Sequence, residues 1–140
     1  MAVLVLVASC GVRAELEIVA LWARASVPGA GNGAVYGELV NKGSTGVAIT
    51  GVETSIAGRA GIHRTRMVDG MMSMAAVKVL DLGPGDRVVL EPGGLHIMLM
   101  GLHEPLEEGE SFRIYLTTAN GERFGADVSV GGIGQLERPE

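Results

Sequence analysis

Apolar residues along this chain come in short runs, and no segment sustains a 3.6-residue period. Gly, Pro, Asn and Asp cut the runs, which is the punctuation of an all-β sandwich or barrel. The pattern predicts nine strands, over 16–22, 34–40, 48–55, 60–67, 71–77, 87–90, 96–102, 111–118 and 123–130. Turn signals stand between them at Asn41-Lys42-Gly43, Asp69-Gly70, Gly83-Pro84-Gly85-Asp86, Glu91-Pro92-Gly93-Gly94 and Asn120-Gly121. The last is a strong hairpin signal, because both of its residues tolerate positive φ. The glycines between Gly29 and Ala34 can be forced into a dinucleotide-binding fingerprint. That fingerprint needs a helix to follow, and 35–40 reads as a strand, so the segment is a turn.

Side chains in a strand alternate between faces. Over 95–100 this sends Leu95, Ile97 and Leu99 towards the core, and His96, Met98 and Met100 the other way. Met72 and Met74 likewise share one face of the 71–77 strand. One imidazole beside several thioethers suits neither an ordinary core nor an ordinary surface.

Composition narrows the chemistry. The 140 residues fit one domain, large enough to bury a core without disulfides. The net charge is -5 and the cations are scattered, so the basic stripe that nucleic acid needs is missing, and aromatic residues for base stacking are few. No internal apolar run is long enough to span a bilayer. Cys10 is the single cysteine, which rules out an internal disulfide and a cysteine cage for a metal. Only His63, His96 and His103 are histidines, and all methionines but the first lie between Met67 and Met100.

The start reads as a leader. Residues 1–8 are uncharged and apolar, followed by Ser9, Cys10 and Gly11. Val7-Ala8-Ser9-Cys10 resembles a lipobox, in which Cys10 would take a lipid and form the one attachment to a membrane. The expected organisation is a leader over 1–14, a metal-binding β domain over 15–131 and a flexible tail over 132–140.

Copper(I) accounts for the choice of His and Met. It is a soft ion that imidazole and thioether suit. Outside the cytoplasm thiolates oxidise, whereas a thioether forms no disulfide. Imidazole binds only when neutral, so affinity should fall as pH drops through its pKa.

The spacing His63-x10-Met74-x21-His96-x-Met98 resembles the ligand motif of the periplasmic copper(A) chaperone family. So do Trp22-Ala23-Arg24-Ala25 with Pro28-Gly29-Ala30, the stretch from Pro92 to Leu102, and Pro105-Leu106-Glu107-Glu108-Gly109. The likeness runs from about Leu16 to Val130. It implies a cupredoxin-like β-sandwich or barrel of Greek-key type. It also implies one copper(I) ion held by His63, Met74, His96 and Met98. The resemblance further implies export and delivery of the ion to a copper-accepting protein, a cytochrome c oxidase subunit or another assembly chaperone. Arg64 departs from the family pattern, which commonly has an acidic residue there.

Plainer readings stand beside these. His103 is off the motif and reads as a surface residue. Met67, Met71 and Met100 read as core filling or as spare thioethers at the rim. Trp22 reads as core, and the acidic run over 104–110 as a solvated turn. A blue-copper electron carrier would need a cysteine beside two histidines, which the chain lacks outside its leader. No nucleophile is set in a recognisable triad, so no enzyme is expected. The alternative is a metal-independent β-sandwich module that docks a partner on its methionine face.

Overall fold

The computed structural model describes residues 15–134. The expected leader over 1–14, with Cys10, and positions 135–140 of the expected tail lie outside the described residues. Ten strands form: β1 (Leu16–Arg24), β2 (Asn32–Asn41), β3 (Val47–Thr54), β4 (Ala57–Val68), β5 (Met71–Ala76), β6 (Leu80–Leu82), β7 (Arg87–Leu90), β8 (Leu95–Leu102), β9 (Ser111–Thr118) and β10 (Arg123–Gly131). The nine expected strands are all present; five are one to four residues longer than the pattern suggested, three have the same length and β5 is one residue shorter. β6 is additional. Its Leu80 and Leu82 are buried around an exposed Asp81, an alternation too short to stand out from the loop that follows.

The strands pair continuously in the order β5-β4-β8-β2-β1-β10-β9-β3-β6, with β7 also on β2. Residues from nearly every strand meet in one core, including Val35, Leu39, Ile49, Ile62, Ile97, Leu99, Ile114 and Val128. The sheet therefore wraps around its own apolar face. β5 is the exception: all six of its residues are exposed, and it is an edge strand.

Two local features place the strands that matter below. The Asp69-Gly70 turn has φ values of 49° and 76°, so both central residues are left-handed, as a two-residue hairpin requires. It pairs Val68 with Met71, Met67 with Met72 and Thr65 with Met74. On β1 the register slips between Val19 and Trp22, where Ala20 has φ 56°. Gly37 faces this bulge with φ 151°, and a Cβ there would come within 2.7 Å of Leu21 Cδ2. At the same point β2 changes partner, from β8 over Asn32 to Val35 to β7 over Gly37 to Val40. At Asn120-Gly121 the expected hairpin forms, but only Gly121 takes a positive φ.

Candidate metal centre

The four residues singled out by spacing come from three adjacent strands, with β4 in the middle. His63 on β4 lies directly opposite His96 on β8, and Gly61 lies opposite Met98. On the other side of β4, Thr65 lies opposite Met74 of β5. Period-two alternation puts Gly61, His63 and Thr65 on one face of β4, so His63, Met74, His96 and Met98 share that face. Gly61 leaves room there: a Cβ at Gly61 would sit 3.9 Å from His63 Nε2. The alternation expected on β8 is present. Ile97 and Leu99 are fully buried in the core, while Met98 and Met100 are half-buried on the other face.

His96 is also buried, only 3% exposed. Its Nδ1 lies 3.1 Å from the carbonyl of Gly94. A carbonyl only accepts, so Nδ1 carries the proton and Nε2 of the neutral ring keeps a bare lone pair. Nε2 has no hydrogen-bond partner and no access to solvent. Such a group costs about 1–3 kcal/mol when left unmade. The Gly94 carbonyl also accepts from the Thr65 N–H at 3.1 Å, so one peptide from the Pro92-Gly93-Gly94 turn ties β4 to β8 and orients the ring.

The His63 and His96 rings lie 6.3 Å apart, centroid to centroid, and Tyr36 lies 6.4 Å from His96 on the other side. Trp22 backs Tyr36 at 4.9 Å, and the Arg24 guanidinium covers the Tyr36 ring. His63 is partly desolvated, and it also feels His96 and the Arg59 guanidinium. These effects, in that order, hold its pKa below the ordinary imidazole value, which favours the neutral ring. A cavity of about 440 Å³ opens here, lined among others by Tyr36, Thr65, Met72, Met74, His96 and Met98. The centre is one-sided: His96 forms its closed end, and Met74, 55% exposed, its open rim. Among the described residues, no three of His, Cys, Asp or Glu come together. A metal held here would therefore draw on the methionine sulfurs.

Other sequence expectations sort as follows. His103 is exposed and away from this face. Trp22 is buried. Met67 and Met71 are 71% and 73% exposed, so neither fills the core. Met100 is half-buried, and Arg59 Nη2 approaches its sulfur at 3.8 Å. Sequence reasoning missed Tyr36, Arg59 and the Gly94 carbonyl. Tyr36 reaches the site only through strand pairing; the local signs were Arg59, four residues before His63 on the same strand and so on the same face, and Gly94, two residues before His96.

Solved structures similar in fold include PCuAC domains. The copper-bound PCuAC domain of PmoF2 is 20% identical, with a TM-score of 0.69 over 84% of this chain and 92% of that domain. The apo PCuAC domain of PmoF1 is 23% identical, with a TM-score of 0.69 over 84% and 93%. The CuI form of DR1885 from Deinococcus radiodurans is 27% identical, with a TM-score of 0.66 over 90% of this chain and 85% of that one. The cupredoxin-like β fold expected from the sequence is thus the fold adopted, and the resemblance to the copper(A) chaperone family holds at the level of the domain. The putative lipoprotein Lxx21020 of Leifsonia xyli subsp. xyli (strain CTCB07) is 33% identical over 116 residues, 82% of this chain and 69% of that protein. Residues 16–130 match the family described as putative lipoprotein LpqE-like, and the chain belongs to that LpqE-like family.

Proposed function

We propose that this protein is an extracytoplasmic copper chaperone that carries one copper(I) ion on His63, Met74, His96 and Met98. The observation that carries the reading is the buried Nε2 of His96, a lone pair with no protein partner. The Gly94 carbonyl holds the other nitrogen, which is how metal-binding histidines are commonly oriented. Two imidazoles sharing one ion, with bonds of about 2.0–2.1 Å as in zinc sites, have centroids up to roughly 6 Å apart. The observed 6.3 Å needs only a small approach of the two rings. Two thioethers on the same face complete a soft donor set that favours the monovalent ion. DR1885, solved in a CuI form, supports copper as the cargo.

Release follows from the one-sided geometry. A partner's ligand replaces Met74 at the rim first, Met98 and His63 follow, and His96 lets go last. Each step forms one bond to copper as another breaks, with no change of oxidation state and no turnover of substrate. The recipient is a copper-accepting protein such as a cytochrome c oxidase subunit or another assembly chaperone. The apolar leader and the lipobox-like Val7-Ala8-Ser9-Cys10, with the lipoprotein description of the family, support export and a lipid on Cys10.

The deciding experiment titrates copper(I) under reducing conditions against a competing chelator, for the native chain and for Met74→Ala and His96→Ala. One tight equivalent that both changes weaken is expected. Copper(I) binding no better than to a methionine-free control protein would sink the reading. A second reading rests on the exposure of Met67, Met71, Met72 and Met74. In it the methionine face docks a partner without metal, and His96→Ala would leave partner binding intact.

A further inference from the structure

The β4–β5 register sorts the methionines outside the four-residue set. Met67 lies opposite Met72, and Met74 lies opposite Thr65. These three thioethers stand on the face that carries His63. Met71 lies opposite Val68 on the reverse face, which also carries Arg64, Arg66, Ser73 and Ala75. From Gly61 outward to the turn, every large apolar side chain on the site face of this two-stranded ribbon is a methionine.

Met67, Met72 and Met74 are 71%, 66% and 55% exposed, so none is engaged in packing the core. Residues directly opposite across a strand pair have Cβ atoms about 4.5–5.5 Å apart, and diagonal neighbours about 7–8 Å. Three unbranched thioether side chains reach one point from such positions. Without an imidazole among them, they select a soft monovalent ion and hold it more weakly than a mixed His and Met set. Met72 and Met74 also line the cavity that contains His96 and Met98, so two of the three outer thioethers open onto the inner centre.

We infer that Met67, Met72 and Met74 form a second, outer copper(I) site. Met74 belongs to both sites and passes the ion between them. This inference rests on the four-residue reading of the inner centre. On moving inward the ion keeps Met74, gives up its bonds to Met67 and Met72 and gains bonds to Met98, His63 and His96 one at a time, with no change of oxidation state, so no oxidant or reductant is needed. The outer site is where copper(I) lands on arrival and where a partner's thioethers first take hold of it.

The test uses the full chain with carbon-13 methionine methyl groups, assigned by single Met→Leu changes and titrated anaerobically with copper(I). The first equivalent should move the Met74 and Met98 signals; the second should move Met67 and Met72 and shift Met74 a second time, because its sulfur has a second lone pair to share with the outer ion. In the double variant Met67→Leu/Met72→Leu the second equivalent should be lost and the first kept. The exposure of both residues makes that variant safe for folding. A second equivalent that leaves Met67 and Met72 unmoved, or a double variant that still takes up two, overturns the outer site. Failure of the inner centre looks different, because Met98 then never moves. Movement of Met67, Met72 and Met74 without Met98 would remove the inner centre and, with it, the hand-off through Met74. No movement at any methionine would remove both.

Discussion

Asn41 and His96 are both shut away from water, at 0% and 3% exposure, yet they are treated in opposite ways. Asn41 Nδ2 donates to the carbonyls of Thr45 at 2.7 Å and Leu82 at 3.0 Å, and its Oδ1 accepts from the Gly43 N–H at 3.0 Å. Its backbone is bonded to Gly85 and Asp86 as well. One side chain thus stitches together the loop after β2, the end of β6 and the turn before β7. His96 makes one bond, to Gly94, and leaves Nε2 unmet. Satisfied polar groups rigidify a fold, whereas an unmet one is a cost that a ligand can relieve. The difference separates the part of the molecule built for stability from the part built for exchange. The surroundings agree: Asn41 sits among closed turns, and His96 sits beside an exposed edge strand.

Substitutions at the two residues should therefore have opposite signs. The largest effect on folding is expected from Asn41→Leu, which strands two carbonyls and an N–H at a loss of about 3 kcal/mol in denaturant unfolding. Copper(I) binding by the remaining folded protein should be unchanged. His96→Leu should do the reverse. It removes the unmet nitrogen, and the Gly94 carbonyl keeps its bond from Thr65. The apoprotein should gain about 1 kcal/mol. Groups that merely orient a metal-binding residue cost about 10–100-fold in affinity, so losing the imidazole itself should weaken copper(I) binding at least about 100-fold. An apoprotein strongly destabilised by His96→Leu would erase the contrast.

Smaller changes sharpen it further. Met74→Leu lies at an exposed rim position and should alter apoprotein stability by less than about 0.5 kcal/mol. Competition titration should show copper(I) affinity reduced about tenfold, or 1.4 kcal/mol. Equal losses of stability and affinity would instead make Met74 a structural residue.

The smallest effect is on pH dependence. The folded pKa of His63 is lowered, so between that value and 6.5 the unfolded chain binds more protons than the native one. Apoprotein stability should hold above pH 6.5, fall as pH drops below it, and level off once pH is under the folded value. His63→Ala should flatten that part of the profile, measured by unfolding at several pH values.

Much of this was legible along the chain. Alternation over 95–100 separated His96 and Met98 from Ile97 and Leu99 without reference to any other strand. Asp69-Gly70 announced the tight hairpin that aligns Met74 with Thr65. β6 escaped notice because two buried leucines around one Asp give too short a period. The fate of Met67 and Met71 was also hidden, since a methionine reads alike whether it fills a core or stands exposed on an edge strand. The burial of His96 had no local sign, because what covers it comes from distant parts of the chain.

The sequence by itself determined the strand-forming runs, the turns between them and which residues share a face, because pleating and turn geometry are local properties. It also determined the donor chemistry, since imidazole and thioether keep their softness wherever they stand. Only the tertiary structure decided that His63 faces His96 across more than thirty residues of chain, that β5 is left exposed at an edge, and that one nitrogen of His96 goes unmet. Those outcomes depend on which strands become neighbours when the sheet wraps around its core, and that is settled by the burial of the whole apolar face at once.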